Sequence, residues 1–230
     1  MFSRQVEGII WQVPEIGNNR AWLHKEVQSQ STPVIFTDTH PDKKLHTITI
    51  DNYNGGRLAT EHLLSGGYRN IGLITGPQKW RSALERRRGW EDALKAAHYE
   101  VDERRIAEGD WTAGSGERAF HQLYQSFPEM KALFVSNDQM ALGVYQAICQ
   151  MGKHIPEDLA IVGFDDIPEA AFFYPQLTTV RQDLYELGSM AVEALAKVLE
   201  DERSGKSIGE KQNLVLQPQL IVRQSSITAR

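Results

Sequence analysis

The chain has 230 residues, of which 41% are apolar and 24% are charged, and its formal net charge is -5. This composition is typical of a globular protein with a buried core, which excludes wholesale disorder, and the acidic balance disfavours a nucleic-acid-binding face, which needs clustered positive charge. The single cysteine, Cys149, excludes an internal disulfide, and no stretch reaches the roughly 18 consecutive apolar residues of a membrane span.

Short apolar runs alternate with amphipathic stretches along the chain. The runs are rich in β-branched residues and bounded by turn residues, which predicts strands buried on both faces. They are residues 6–10, 33–36, 71–74, 132–135 and 159–162. Between them, apolar residues recur at helical spacing, as at Trp90, Ala93, Leu94 and Ala97. The alternation predicts an α/β fold with parallel sheets flanked by helices.

Polar residues directly follow three of the predicted strands. The pairs are Thr37 with Asp38, Asn137 with Asp138, and Asp165 with Asp166. Each pair alone is compatible with a turn or a helix cap, and Asp138 is the expected N-cap of the helix that follows. Because ligands of open α/β sheets gather beyond the carboxyl ends of strands, the three pairs together predict one binding cleft.

A series of short motifs runs through the chain in a fixed order. It comprises D-N-Y-N-G-G at 51–56, G-Y at 67–68, I-G-L-I at 71–74, G-P at 76–77, R-R-R-G-W at 86–90, S-N-D-Q-M-A-L-G at 136–143, I-V-G-F-D-D at 161–166 and L-T-T-V-R-Q at 177–182. In this order the motifs resemble the effector-binding core of the LacI/GalR family of transcription regulators. The resemblance extends over residues 6–223.

The resemblance implies a two-lobed, periplasmic-binding-protein-like α/β fold with three hinge crossings and a small effector held between the lobes. The first lobe would comprise residues 1–50 plus 184–212, and the second residues 51–183 plus 213–230. Compared with the family pattern, the sequence begins within a helix–strand unit. We therefore expect an N-terminally truncated first lobe, and contact with operator DNA only through a helix-turn-helix headpiece that these residues do not contain.

A sugar site needs planar polar side chains for the hydroxyl rim and an aromatic ring for a C–H face. Arg86 and Asp165 suit the rim, because a guanidinium donates to vicinal oxygens and a carboxylate accepts from two hydroxyls. Asn137 is able to do both. In the family, residues at these three positions contact effector, which the resemblance carries to this chain. The alternative for Arg86 and Asp165 is an ion pair between elements.

Further site candidates follow from the same resemblance. Trp111 resembles the sugar-stacking tryptophan of lac-type members, and its alternative is a place in the core. Asp38 matches a position facing the cleft, with a turn-capping role as the alternative, and Ser82 offers a hydroxyl. Family members often have an aromatic residue where this chain has Leu184, which weakens the expectation of a second stacking ring and of a lac-like specificity.

No catalytic or metal site is predicted. Asp165 and Asp166 are adjacent at a strand end and point in opposite directions, so they do not form a catalytic carboxylate pair. The sequence contains no nucleophile elbow, phosphate loop or dinucleotide fingerprint. Its seven histidines lack the spacing of metal ligands. We therefore expect neither an enzyme nor a bound cofactor.

The stretch 140–151 is apolar nearly all round, so a helix there is buried on more than one side, either deep in the core or at an interface. The family resemblance implies the second alternative and predicts a homodimer. The family uses this helix at its dimer interface, with an aromatic cluster beside it. The predicted interface residues are Met140, Leu142, Tyr145, Phe172 and Phe173. No heptad tail follows residue 223, so a tetramerising coil is not expected.

The sequence as a whole indicates a cytoplasmic sensor domain that binds a small carbohydrate. The rival is a periplasmic sugar receptor of a transporter, which shares the fold. The start of the chain lacks the charged-then-apolar order of a signal peptide. An upstream reading frame distinguishes the two, since a helix-turn-helix indicates regulation and a signal peptide indicates transport. The identity of the effector and the direction of its effect do not follow from the sequence.

Overall fold

A computed structural model describes residues 6–16, 19, 32–42, 44–205 and 212–227. These residues form two compact units, the first from 1–51 and 183–217 and the second from 52–182 and 218–230. The predicted start of the first lobe, at residues 1–5, lies outside the described residues. No helix in the described ranges has the length and apolar character to cross a membrane.

The elements alternate between strands and helices, as the sequence predicts. The strands are β1 (Ile9–Gln12), β2 (Val34–Thr37), β3 (His46–Ile50), β4 (Ile71–Thr75), β5 (Ile106–Glu108), β6 (Ala132–Val135), β7 (Ala160–Asp165), β8 (Thr178–Arg181), β9 (Asn213–Leu216) and β10 (Gln219–Ile221). The helices are α1 (Asn52–Ser65), α2 (Arg81–Ala96), α3 (Ala113–Ser126), α4 (Asp138–Gln150) and α5 (Leu184–Arg203). Short 3-10 turns occur at Glu103–Arg105, Pro168–Phe172 and Gln224–Ser226.

The first unit contains a parallel sheet in the order β1-β2-β3-β9. Helix α5 covers one face, where Leu187, Ala191 and Val198 pack with Ile35 and Ile48. The boundary expected at residue 213 is wrong, because β9 pairs with β3 and therefore belongs to this unit. A strand of four residues carries too little pattern to reveal which sheet it joins.

The second unit contains a six-stranded sheet in the order β10-β8-β7-β6-β4-β5. All neighbours are parallel except β10, which runs antiparallel to β8. Strands β4 and β6 are buried along their whole length, because α1 and α2 cover one face of the sheet and α3 and α4 cover the other. This double burial explains why the strands are continuous apolar runs.

Glycines allow the helices of the second unit to pack backbone against backbone. A Cβ atom at Gly56 on α1 would lie 2.2 Å from the carbonyl oxygen of Arg86, and one at Gly89 on α2 would lie 2.2 Å from that of Tyr53. On the other face, a Cβ at Gly143 would lie 1.8 Å from the carbonyl oxygen of Ala113. These contacts explain the glycines of three motifs, those at 51–56, 86–90 and 136–143.

Candidate functional site

The candidate site lies at the carboxyl ends of β4 to β7 in the second unit. Because these strands are parallel neighbours, the residues that follow them meet at one edge of the sheet. The edge carries Trp111 after β5, Asn137 after β6 and Asp165 at the end of β7. Arg86 reaches this edge from α2. The structure therefore assembles four of the predicted site residues.

Arg86 is a buried cation with several partners. Its Nε donates to Oδ1 of Asn52 at 2.8 Å, and its Nη1 donates to the carbonyl oxygen of Ser136 at 2.5 Å. The same Nη1 lies 3.6 Å from Oδ1 of Asp165. The guanidinium carbon lies 3.6 Å from the ring centroid of Phe164, which adds a cation–π contact. Only 5% of the residue is exposed, so little of the guanidinium is accessible to a ligand. Its bonds go to neighbouring residues, and Arg86 therefore serves to hold other site residues in place.

Asp165 is the accessible carboxylate of the site, with 26% of its side chain exposed. Its φ of 112° lies in a region that side-chain-bearing residues rarely adopt. Nε2 of Gln182 donates to Oδ1 at 2.6 Å. Burial raises the pKa of Asp165, and the guanidinium of Arg86 and the amide of Gln182 oppose that rise. The conformation is therefore held by partners on two other elements.

Trp111 lies in a strained turn between β5 and α3, with a φ of 74°. Its ring contacts Gly76, where a Cβ would lie 2.1 Å from Cη2. The guanidinium carbon of Arg86 lies 5.7 Å from its ring centroid. Its Nε1 is buried and has no acceptor among the described residues. An unpaired buried donor and a positive φ both cost free energy, and such costs concentrate at functional sites.

Asn137 is the N-cap of α4, so the expectation that Asp138 has this role is wrong. Its Oδ1 accepts from the backbone N–H of Met140 at 2.9 Å, and its Nδ2 donates to the carbonyl oxygen of Trp111 at 3.1 Å. One amide side chain thus caps a helix and ties it to the turn that carries the tryptophan. Asn137 therefore has a structural role that does not depend on a bound ligand.

Asp138 and Asp166 are buried carboxylates with structural partners. Asp138 accepts from Oγ1 of Thr179 at 2.7 Å and from the backbone N–H of Ile167 at 3.0 Å. Asp166 accepts from Arg181 and from Arg223, each at 2.7 Å. Asp165 and Asp166 therefore have different partners, as expected for neighbours at a strand end.

The Asp138 carboxyl makes folding dependent on pH. Desolvation raises its pKa from 3.8 to about 7, against the opposing effect of the bonds from Thr179 and Ile167. From about pH 4 to about pH 7 the folded carboxyl keeps a proton that the unfolded one has lost, so stability falls as pH rises through this window. Asp138→Asn is expected to flatten the slope in urea denaturation series, whereas the exposed change Glu157→Gln leaves it intact. The same slope in Asp138→Asn as in the parent would contradict the raised pKa.

The other residues considered in the sequence analysis, Ser82, Asp38 and Leu184, lie on three different elements. Ser82 is half-buried in the first turn of α2. Asp38 follows β2 in the first unit and has a φ of 63°. Leu184 begins α5 and is exposed. Two residues were missed: Gln182 occurs in the L-T-T-V-R-Q motif but was not assigned a contact, and Trp80 lies in a turn that carries no periodic pattern.

The predicted interface residues divide by burial. Met140 is completely buried and Phe173 is nearly so, both within the core of the second unit, so neither is available to a second copy. Leu142 and Phe172 are exposed, by 53% and 86%. Tyr145 is half-buried, and its hydroxyl donates to the carbonyl oxygen of Pro175 at 3.0 Å. The predicted interface is therefore narrowed to the accessible residues and stays a prediction.

The arrangement suits binding of a polar cyclic molecule. Asp165 offers hydrogen-bond acceptors, and Trp111 offers an apolar ring held beside Arg86. Within the described ranges, no group of three or more histidine, cysteine, aspartate or glutamate residues is placed to hold a metal ion.

Comparison with known proteins identifies the class to which this fold and site belong. A model of the periplasmic binding protein-like domain family matches residues 60–226. The structure of a CelR transcriptional regulator in complex with cellobiose superposes with a TM-score of 0.82 at 32% identity, covering 96% of this chain and 66% of that one. A lac repressor dimer bound to operator and the anti-inducer ONPF gives 0.84 at 30% identity, covering 97% and 64%. The chain belongs to the periplasmic binding protein-like family and, within it, to the LacI-type effector-binding domains.

Curated relatives agree with this class. The HTH-type transcriptional regulator CelR of Thermobifida fusca is 36% identical over 80% of this chain and 53% of its own length. The HTH-type transcriptional repressor PurR of Aliivibrio salmonicida is 32% identical over 97% of this chain and 65% of its own length. The chain thus spans between half and two thirds of these relatives. Both are named as transcription regulators, in agreement with the prediction that this chain is not an enzyme.

Proposed function

We propose that this chain is the sensor part of a LacI-type transcription regulator and that it binds a small carbohydrate through Asp165 and Trp111, which Arg86 and Asn137 position. The observation that carries the proposal is the pair of positive φ values at Trp111 and Asp165, which lie after β5 and at the end of β7 and approach the same buried guanidinium, that of Arg86. A folded protein retains such strain where the surrounding contacts over-determine it, commonly at ligand sites.

The chemistry favours a sugar over an anion or a flat apolar molecule. Asp165 accepts hydrogen bonds and repels negative charge, and the indole ring of Trp111 provides an apolar face for C–H groups. The similar CelR protein has been solved with cellobiose, which supports a carbohydrate here.

The regulatory effect would follow from differential affinity. A ligand that binds one conformation of the sensor more tightly shifts the population towards it, and this changes how DNA-binding parts engage an operator. The relatives are named as HTH-type regulators, so we assign DNA contact to a helix-turn-helix part outside these 230 residues. Such a regulator acts in the cytoplasm.

A thermal-shift and calorimetry screen tests the carbohydrate assignment. The probes are glucose, galactose, mannose, cellobiose, maltose and lactose, with glucose 6-phosphate and hypoxanthine as contrasting ligands. A saccharide that binds only the folded chain raises the unfolding midpoint. Asp165→Asn is expected to abolish that shift, whereas Asp158→Asn, which lies before β7 at the end of the strand opposite to Asp165, preserves it. Binding of hypoxanthine alone would reject the carbohydrate assignment.

We further propose that the chain forms a homodimer through the exposed apolar residues beside α4. A groove of about 740 Å³ is lined there by Leu142, Tyr145, Phe172 and Tyr174, among others. Of these, Tyr174 is 97% exposed. Exposed apolar patches of this kind mark association surfaces. The similar lac repressor structure is that of a dimer.

Charge placed in this groove is expected to produce monomers. Phe172→Glu and Leu142→Glu each bury a carboxylate against apolar surface if the dimer forms, so the dimer dissociates at micromolar concentration. Val192→Glu, on the exposed side of α5, is the matched control and leaves association unchanged. Sedimentation velocity measures the three variants. A parent chain that is monomeric at these concentrations would refute the interface.

A further inference from the structure

Trp80 forms a second aromatic surface beside the candidate site. Its ring centroid lies 5.9 Å from that of Trp111, with 72° between the two ring planes. Trp80 is half-buried at the start of α2, on the chain segment that follows β4. The two indoles therefore form an aromatic corner, which we define as Trp80 together with Trp111.

The turn that carries Trp80 is held rigidly. The backbone N–H of Trp80 donates to the carbonyl oxygen of Pro77 at 2.9 Å, and its own carbonyl oxygen accepts from Leu84 at 3.1 Å. Gln78 ties the turn to β4, because its Nε2 donates to Oγ1 of Thr75 at 2.7 Å and to the carbonyl oxygen of Gly76 at 3.1 Å. A ring on such a turn is preorganised for contact with a ligand.

Trp80 is an unfavourable choice for the helix that it begins. It is the N-cap of α2 and makes no side-chain capping bond, whereas Thr112, Asn137 and Asp183 each cap their helices through a side-chain oxygen. Serine, threonine, aspartate and asparagine are the favoured residues at this position. Places where a chain departs from a local preference without a compensating bond are often functional.

The geometry of the corner limits what it is able to contact. A pyranose presents its C–H groups on the two faces of one ring, so it stacks on a single aromatic plane. Two planes inclined at 72° do not both stack on one sugar ring. A second ring, joined to the first through a glycosidic bond and turned relative to it, meets the second plane.

We propose that Trp80 is a specificity-determining residue that contacts the second ring of a disaccharide whose first ring lies on Trp111. This proposal rests on the carbohydrate-binding function proposed above and names the class of sugar within it. The effector is then a disaccharide and not its parent monosaccharide.

Calorimetry of four proteins against paired sugars tests the assignment. The proteins are the parent chain, Trp80→Ser, Trp80→Phe and Trp111→Ala, and the probes are cellobiose, maltose and lactose with glucose and galactose. Trp80→Ser is chosen because serine supplies the side-chain cap that Trp80 lacks, so its unfolding midpoint is expected to equal or exceed that of the parent. We expect its disaccharide Kd to rise at least tenfold while any monosaccharide Kd changes by less than about twofold. Trp80→Phe retains a ring and restores most of the affinity.

The outcomes separate this inference from the function beneath it. Disaccharide affinity that is unchanged in Trp80→Ser, or that falls equally for monosaccharide and disaccharide, overturns the assignment of Trp80 while the carbohydrate function stands. A parent chain that binds glucose or galactose as tightly as any disaccharide overturns it too. If no saccharide binds the parent chain, the proposed function itself fails, and the inference fails with it.

Discussion

Gly143→Ala is expected to lower the free energy of unfolding by more than about 3 kcal/mol. The added Cβ would lie 1.8 Å from the carbonyl oxygen of Ala113 and 2.8 Å from the backbone nitrogen of Glu117. Both atoms belong to the backbone, which has no flexible end to move aside. Helices α3 and α4 must therefore separate. That movement also strains the bond between Asn137 and the carbonyl oxygen of Trp111.

Gly188→Ala is the matched control for this experiment. Gly188 also lies within a helix, but a Cβ there meets nothing within 4 Å. Alanine at this position is expected to stabilise the chain by roughly 0.5–1 kcal/mol, because it lowers the backbone entropy lost on folding. Urea denaturation of the two variants measures both effects. Similar stabilities for the two would show that α3 and α4 do not pack as described.

Arg86→Ala is expected to cost roughly 3–5 kcal/mol of stability and to abolish saccharide binding. The change removes the ion pair with Asp165 and the bonds to Asn52 and to the carbonyl oxygen of Ser136. The Asp165 carboxylate then remains in a desolvated position without its cation, which raises its pKa further. The strained turn of Asp165 loses a partner that holds it, so the acceptor is no longer fixed for a sugar hydroxyl.

Arg87→Ala is the control, since Arg87 is the next residue along α2, and its ion pairs are one within the same helix and one with an exposed carboxylate. It forms ion pairs with Glu91 and Glu103, and such pairs contribute less than about 1 kcal/mol. In the double variant Arg86→Ala with Asp165→Asn, the loss of stability is expected to be smaller than the sum of the single losses. Additive losses in chemical denaturation would mean that Arg86 and Asp165 do not interact.

Local pattern accounts for the parts of the molecule that were predicted. Strands β4 and β6 were recognised because burial on both faces leaves an uninterrupted apolar run. The polar residues after β6 and β7 were recognised as site candidates because parallel strands end at one edge. The order of the motifs indicates the family, and the family resemblance predicts four of the site residues: Arg86, Trp111, Asn137 and Asp165.

Contacts between residues distant in sequence decided what was predicted wrongly or missed. Asn137 caps α4 because its amide also reaches the turn at Trp111. Met140 faces the core because α4 packs against α3 through glycine contacts, although the helix is apolar nearly all round. An apolar pattern shows that a helix is buried without showing which neighbour covers each side.

Periodicity and motif spacing are local properties of the chain, so the fold class, the family and the residue types at the strand ends follow from the amino-acid sequence. The pairing of β9 with β3 in the first unit, and the steep angle between the rings of Trp80 and Trp111, become visible only in the folded molecule. Sheet membership and ring geometry depend on how separate segments pack in three dimensions. The hydrophobic effect is non-directional, so an apolar segment does not specify which other segment it packs against.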